Sequence, residues 1–343
     1  MMKRSLRIYR SRQTFPILRL PILAIEHILA QVNDCDLFDL SLCSKRCARI
    51  VGSLPRMPTR MEITIRAYRK TIRLYRDGEE TWNPFQWKFQ PVGTTRKEKL
   101  NREISGVKMF CVKDNAKFKF PLKPICRVFE VGYKKQTIGR DLEMGAVITH
   151  LLRMFKRCKL TNVHVDFKGL QPEFRVGRVF SGEFPIENLK FSGESENSSL
   201  DSLEVLRKCQ IIGTFYSETR NMHKESMLYL DIPVVDMWYS IYDSEDIMNF
   251  LKKWKSSKDM KRINSIYIRS MEPIAPLDYE ELGAKPWDPK KRDMVYRGSK
   301  HTICCPHGMD IERDDGLLAT FLTFHHAVWF VVWHKRFRGE GHN

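Results

Sequence analysis

Four side chains, His301, Cys304, Cys305 and His307, form the densest group that could hold a metal or pair a nucleophile with a base. Their spacing argues against both roles. Adjacent cysteines followed by a near histidine do not match the separated ligand pairs of common zinc sites, and no second cysteine pair stands ready to complete one. A buried cysteine beside a loop histidine fits better, and no metal is expected. His325 and His326 are neighbours along an extended segment, so they are expected on opposite faces. The chain has no phosphate-cradling glycine loop, nucleophile elbow or metalloprotease helix, and its glycines number only 18. No cysteine sits in a recognisable catalytic phrase. The expectation is a protein without cofactor or enzymatic chemistry of its own.

Charge is the next candidate for function. Lys and Arg number 59 against 41 Asp and Glu, a net charge of +18, which suits nucleic acid, an anionic membrane, or an acidic or phosphorylated protein. The basic residues are dispersed, with denser stretches at Lys3–Arg12, Arg96–Arg102 and Lys285–Lys300; dispersal favours a solvated surface over a dedicated groove. In the last stretch Trp287 and Tyr296 could stack on bases, so a nucleic-acid-binding protein remains an alternative reading. Hydrophobic content of 42% and charged content of 29% place the chain among globular proteins. Nine scattered cysteines, with no secretory signal, predict a reduced, soluble chain of the cytoplasm or nucleus. The apolar stretch from Phe15 to Val32 is interrupted by Pro16, Arg19, Pro21, Glu26 and His27, and Ala327–Trp333 is too short to span a bilayer, which needs about 20 residues. No membrane is expected as a partner.

The elements that would position a binding surface begin at Leu20-Pro21, which opens a first helix; proline is tolerated in a first helical turn. Ile22, Ile25, Ile28, Leu29 and Val32 then recur at helical spacing. Asn33 and Asp34 break the pattern, Asp36 is placed to cap a second helix, and Leu37, Phe38, Leu40 and Leu42 load that helix almost all round. Ser44 is the expected cap of a third helix, and Pro55 and Pro58 close the unit. So short a unit has more apolar surface than it can bury within itself, which makes it a docking device.

This segment resembles the F-box. Phe15, Pro16, Ile17, Leu20 and Pro21 follow that family's opening phrase, and Leu37 to Arg46 follows its leucine, serine and Ser-Lys-Arg phrase. The resemblance implies that Leu20, Pro21, Ile25, Ile28, Leu37, Leu40 and Leu42 contact a Skp-type adaptor, and through it a cullin. It implies the substrate-recognition subunit of an SCF (Skp–cullin–F-box) ubiquitin ligase. A non-degradative, adaptor-bound scaffold is the other reading of the same segment.

Beyond Pro58 the pattern turns extended. Met61–Ile65 and Thr71–Tyr75 alternate as a hairpin around Ala67–Lys70; Trp82–Phe89 and Lys108–Phe120 read as short strands or ordered loop, and Arg96–Arg102 as a charged connection. From residue 140 helices and strands alternate. Helices are expected at Asp141–Lys156, buried through Leu142, Val147, Leu151, Leu152 and Phe155, at Ser199–Lys208, and at Ser244–Trp254, capped by Ser244. Strand phrases near 163, 189, 212, 238 and 266 recur at about 25 residues, in the leucine-rich-repeat range, with part of an asparagine ladder at Asn162 and Asn188. An ordinary sheet of β/α units is the competing reading. Pro273–Arg297 is Pro-rich and charged, a predicted surface loop. His301–Cys305, Met309–Arg313, Leu318–Phe324 and Ala327–Trp333 predict antiparallel strands, with Trp329 and Trp333 on one face.

Two phrases here, Asp246–Trp254 and Asp310–Gly316 followed by Ala319-Thr320 and Val328–Trp333, resemble the F-box-associated domain type 2 of nematode F-box proteins. The expected class is α+β, α/β-like in part: a small three-helix unit, then a larger mixed domain of irregular, leucine-rich-repeat-like β/α units and antiparallel C-terminal strands. The expected division is a basic arm (1–14), the F-box (15–58), a β-rich connecting region (59–139), the F-box-associated β/α domain (140–335) and a tail (336–343). That last domain would hold the target, by the resemblance.

Overall fold

A computed structural model describes residues 17–32, 34–67, 69–77, 85–89, 99–114, 128–131, 141–180, 182–195, 198–220 and 222–337. The basic arm, Phe15 and Pro16, residues 82–84, 96–98 and 115–120 of the predicted β region, and the last residues of the tail lie outside the described residues. The chain divides into two units, Met1–Met57 and Pro58–Asn343.

In the first unit a 3-10 turn, Ile17–Arg19, leads to α1 (Ile22–Leu29), α2 (Asp34–Cys43) and α3 (Lys45–Ser53). Ser44 caps α3, its Oγ accepting from the Cys47 N–H at 3.1 Å. Helix α2 starts two residues before Asp36, so that residue is not the cap; it lies in the first turn, where a carboxylate still favours the helix dipole. The last carbonyls of α1 need donors that the helix cannot supply. The Arg56 guanidinium provides them, donating to Leu29 O at 2.8 Å and to Val32 O. Arg46 likewise donates to Leu18 O at 3.0 Å and ties down the opening turn.

The second unit opens with strands β1 (Arg60–Arg66), β2 (Arg69–Tyr75), β3 (Phe85–Phe89), β4 (Lys99–Ile104), β5 (Val107–Asp114) and β6 (Val128–Val131). The predicted charged connection therefore ends in a strand: β4 alternates well enough to pair antiparallel with β5 despite its charges. Next come α4 (Asp141–Met154), β7 (Lys159–Asp166), α5 (Val176–Val179), β8 (Ile186–Ser192), α6 (Ser198–Lys208) and β9 (Ile211–Ser217). A 3-10 segment, Lys224–Tyr229, precedes β10 (Val234–Ser240), α7 (Ser244–Ser256) and β11 (Ser265–Ser270). The chain closes with β12 (Lys285–Pro286), β13 (Val295–Arg297), β14 (Thr302–Cys304), β15 (Met309–Glu312), β16 (Leu318–Phe324) and β17 (Ala327–Trp333).

Among the described residues fifteen strands join one sheet, in the order β12-β15-β16-β17-β11-β10-β9-β8-β7-β1-β2-β3-β6-β5-β4, with β13 and β14 forming a separate hairpin. Strands β1, β7, β8, β9, β10 and β11 are parallel neighbours; β17, β16, β15 and β12 continue antiparallel at one end, and β2 pairs antiparallel at the other. The architecture is α+β, as the sequence pattern predicts. The five strands from β7 onward begin at 159, 186, 211, 234 and 265 and lie side by side in chain order. That is the stacked β/α array and not a shuffled sheet.

Consecutive stacking puts the crossovers together on one face. Helix α4 packs on α5, α5 on α6, and α6 and α7 on the 3-10 segment between them. Gly145 permits the first contact, because a Cβ there would meet Val179 O at 3.0 Å. Beneath the helices Val163, Leu189, Phe215, Val235 and Ile266 align in register, all buried. Phe167, Phe191 and Phe215 stack edge to face at 5.2 and 5.3 Å. Phe250 and Trp254 of α7 meet Phe330 of β17 at 5.3 and 5.2 Å.

Several local expectations are corrected. Helix α7 is capped by Asp243, which forms a capping box with Asp246, so the cap falls one residue before Ser244. Leu142 is exposed: it lies about 140° around α4 from Val147, away from the buried stripe. His325 and His326 are the two-residue turn between β16 and β17, so their rings meet at 4.6 Å and do not face apart. Asn162 and Asn188 do adjoin, Asn188 donating to Asn162 Oδ1 at 3.3 Å, but both are exposed. Pro273–Arg297 runs irregularly with about half of its residues exposed, as a surface loop should, but it is anchored at five points. It buries Ile274, Leu277, Leu282 and Tyr296, and Arg292 is wholly enclosed.

Candidate functional site

Two surfaces deserve a functional reading, one on each unit. On the first, Pro21 and Ile28 are exposed, Leu20, Leu40 and Leu42 are half-buried, and Ile25 and Leu37 are each 1% exposed. The last two are buried in the core of the chain. Two residues that the sequence pattern did not single out as contacts are the most open aliphatics of α1: Ile22 at 50% and Leu23 at 77% exposed. Successive helical residues turn by about 100°, which sets Ile22 and Ile28 on the shoulders of the Ile25–Leu29 stripe and Leu23 on its far side. The stripe was legible; how far its shoulders stay bare depends on neighbours distant in sequence.

On the second unit the strand face opposite the helices carries polar and aromatic side chains. Thr64, His164, Lys190 and Tyr216 stand side by side on β1, β7, β8 and β9, and Asp236 and Tyr267 continue the row on β10 and β11. His164 Nε2 lies 2.8 Å from Ser192 Oγ, the beginnings of a base–nucleophile pair. Burial first, then the positive charges of Arg66 and Lys190, holds its pKa below the usual imidazole range. Its other ring nitrogen has no carboxylate partner among the described residues, since Asp166 turns to the Lys168 N–H at 3.1 Å. A proton relay therefore lacks its orienting acid. Beside it Lys190 pairs with Glu218 at 2.9 Å and Tyr216 donates to Glu218 at 2.7 Å. Burial, then Glu218, pushes the Tyr216 phenol up to about 12, and the bonds from Tyr216 and Lys190 hold the Glu218 carboxyl down.

The four metal-type residues do not converge. His301 Nε2 approaches Asp236 Oδ1 at 3.0 Å, while Lys300 bonds the other oxygen of the same carboxylate. Cys305 is buried, which pushes its thiol up to about 11, whereas Cys304 and His307 are exposed. Among the described residues no three His, Cys, Asp or Glu side chains form a metal-binding group. The aromatics of Lys285–Lys300 are also engaged: Trp287 Nε1 donates to Arg292 O at 3.3 Å, and Tyr296 donates to Asn264 O at 2.9 Å and packs edge-on to Trp333. Tyr296 at 7% exposure offers no face to a base. No helix of the described residues is long and apolar enough to cross a membrane.

The site thus has two parts, a three-helix unit with exposed aliphatic side chains and a sheet face whose polar and aromatic row is mostly half-buried. Residues 17–58 match the F-box domain. The F-box is the part through which SCF-type ubiquitin ligases in general bind a Skp-type adaptor, and thereby the cullin. Over 94% of its length the chain is similar to the uncharacterized proteins F59B2.8 and F59B2.9 of Caenorhabditis elegans, at 24% and 23% identity, covering 78% and 80% of those proteins. A third from the same organism, uncharacterized protein F54H12.5, is 22% identical over 95% of both chains. No solved structure gives a significant match.

Proposed function

We propose that this chain is the substrate-recognition subunit of an SCF-type ubiquitin ligase. The observation that carries the proposal is the F-box match over residues 17–58 on a unit that leaves Ile22, Leu23 and Ile28 bare. Adaptor contact runs through these residues with Pro21, aided by the half-buried Leu20, Leu40 and Leu42, while Ile25 and Leu37 keep the helices in place. Such aliphatic contacts are non-directional but shape-specific. The larger unit is an F-box-associated domain of type 2 and holds the target protein. Its two motif phrases fold as α7 and as β15–β17, which supports that assignment. The chain itself breaks no bond. It raises the effective concentration of a target lysine beside a ubiquitin-charged enzyme, in the cytoplasm or nucleus.

The test is co-purification of the full chain with a Skp-type adaptor, beside an Ile22→Asp, Leu23→Asp variant. Both residues are exposed, so the fold should survive by circular dichroism while a charge in the contact removes adaptor binding. Failure of the intact chain to hold any adaptor would sink the proposal.

A further inference from the structure

The helix-free face of the sheet changes character at β10. Strands β10 and β11 run in register from Val234 and Ser265 to Met237 and Ile268, then slip, so that Ser240 pairs with Ser270. Trp238 and Tyr239 thus bulge opposite the single residue Arg269. Tyr239 takes a left-handed backbone, φ 60°, a conformation that bulky residues rarely adopt, and its side chain is 50% exposed. Around the bulge an aromatic row is left part-open: Trp238 to Tyr267 at 5.3 Å, Tyr267 to Trp329 at 4.5 Å, and Trp329 to the His301 ring at 4.9 Å. The β13–β14 hairpin and the residues after it cover the face as far as His301 and Lys300, which grip Asp236; there the cover stops. Ile241 and Met271, exposed at the ends of β10 and β11, extend the apolar ground beyond. Backbone strain, an exposed tyrosine and a part-open aromatic row thus coincide at one bulge.

We infer that this aromatic ledge binds a linear segment of another protein in which a bulky apolar residue stands next to an acidic one. The inference rests on the proposal that the larger unit holds the target. The aromatic faces supply the apolar half. The acidic half follows from Arg269, which is exposed, lies 5.5 Å from the Trp238 ring, and has no ion-pair partner among the described residues. A guanidinium held near a ring through its face keeps its edge N–H groups free to grip a carboxylate bidentately. A nucleic acid is less suited. It needs a line of free cations to follow its phosphates, and on this face Lys190 is bound to Glu218 and Lys300 to Asp236.

Selection of displayed random peptides on the full chain in complex with its adaptor tests the inference. Enriched peptides should carry an aromatic, leucine or proline beside Asp or Glu. Their affinity, by fluorescence anisotropy, should fall about tenfold in Arg269→Glu and in Tyr239→Gly. Arg269→Glu should in turn regain binding when the acid of the peptide is exchanged for lysine. Absence of any enriched motif, or peptides indifferent to both variants, overturns the inference; so does a thymidine oligonucleotide bound in their place and lost in the same variants. Adaptor co-purification is read separately. Peptides that bind the ledge but, fused to a reporter, do not lead to its ubiquitylation would sustain the site and remove the receptor role.

Discussion

Replacing Arg292 with methionine should be among the most destabilising single changes on the covered face of the sheet, although sequence pattern places this residue in a charged loop. The side chain is 0% exposed and every guanidinium nitrogen is bonded. Nε donates to both Asp310 oxygens at 3.0 and 2.9 Å, Nη2 to Asp310 Oδ1 at 2.8 Å and Cys305 O at 3.0 Å, and Nη1 to Asp293 O at 2.9 Å. Asp310 also accepts from Thr320 Oγ1 at 2.6 Å, and Thr320 accepts from Trp333 Nε1 at 2.7 Å. Methionine nearly fills the volume but strands a carboxylate, 5% exposed, with the threonine alone. Removing one partner of a buried pair costs about 3–5 kcal/mol, which for a unit of this size lowers Tm by roughly 6–20 °C. The pair has also lost its hydration, so Arg292→Met with Asp310→Leu should recover most of the loss, short of the Thr320 bond at about 1 kcal/mol. Urea unfolding followed by tryptophan fluorescence reads both variants. The exposed pair Arg153–Glu183, at 2.6 Å, is the control, and Arg153→Met should leave the midpoint unmoved. A loss under about 1 kcal/mol for Arg292→Met, or a double variant no better than the single, refutes the reasoning.

Other expectations follow from burial and backbone. Leu23→Asp should abolish adaptor binding with little effect on unfolding, while Ile25→Asp should unfold the first unit; equal stability of the two would contradict their exposures of 77% and 1%. Burial raises the Asp201 carboxyl to about 6 from 3.8 against the stabilising backbone bond from Val176. The folded state therefore holds this proton more tightly than the unfolded chain, and its contribution to stability is full below about pH 4, falls to about pH 6 and is level above. Asp201→Asn keeps an acceptor without the charge, so it should stabilise by on the order of 2 kcal/mol at pH 7 and by nothing at pH 3.5, roughly below the unfolded carboxylate range; a pH-independent difference would be inconsistent. Tyr239→Gly should leave stability unchanged or raise it by up to about 1 kcal/mol, because glycine relieves the left-handed backbone; a large loss would mean the ring is structural.

What could be read from sequence was whatever depends on near neighbours. The stripe Ile247, Phe250, Leu251 and Trp254 placed α7 within two residues at its C-terminal end, and alternation in 61–65 and 71–75 placed the β1–β2 hairpin. The recurrence of strands gave the stacked array. Failures trace to partners far along the chain. Arg292 is enclosed by Asp310, 18 residues on, and a charge matched in space looks the same in sequence as a charge left in water. The even spacing of Trp329 and Trp333 did set both on one face. Trp333 is buried in a cluster with Tyr296, Cys305 and Leu318, while Trp329 stays at its margin. Strand periodicity carries no information about where a covering hairpin ends.

That margin also explains a discord in the strand sequences themselves. A parallel sheet covered on both faces reads as continuous hydrophobic runs, whereas one covered on a single face alternates. Strands β7, Lys-Leu-Thr-Asn-Val-His-Val-Asp, and β8, Ile-Glu-Asn-Leu-Lys-Phe-Ser, alternate, with half-buried or exposed side chains on the outer side between fully buried ones on the inner. Strand β10, Val-Val-Asp-Met-Trp-Tyr-Ser, does not: its first four residues are all buried, then Trp238 is part-open and Tyr239 exposed. The transition from covered to open face thus falls within one strand, at the residue whose backbone is left-handed. The left-handed φ of 60° at Tyr239 accompanies the bulge opposite Arg269 and sets an exposed ring at that step, which is the placement the proposed ledge uses.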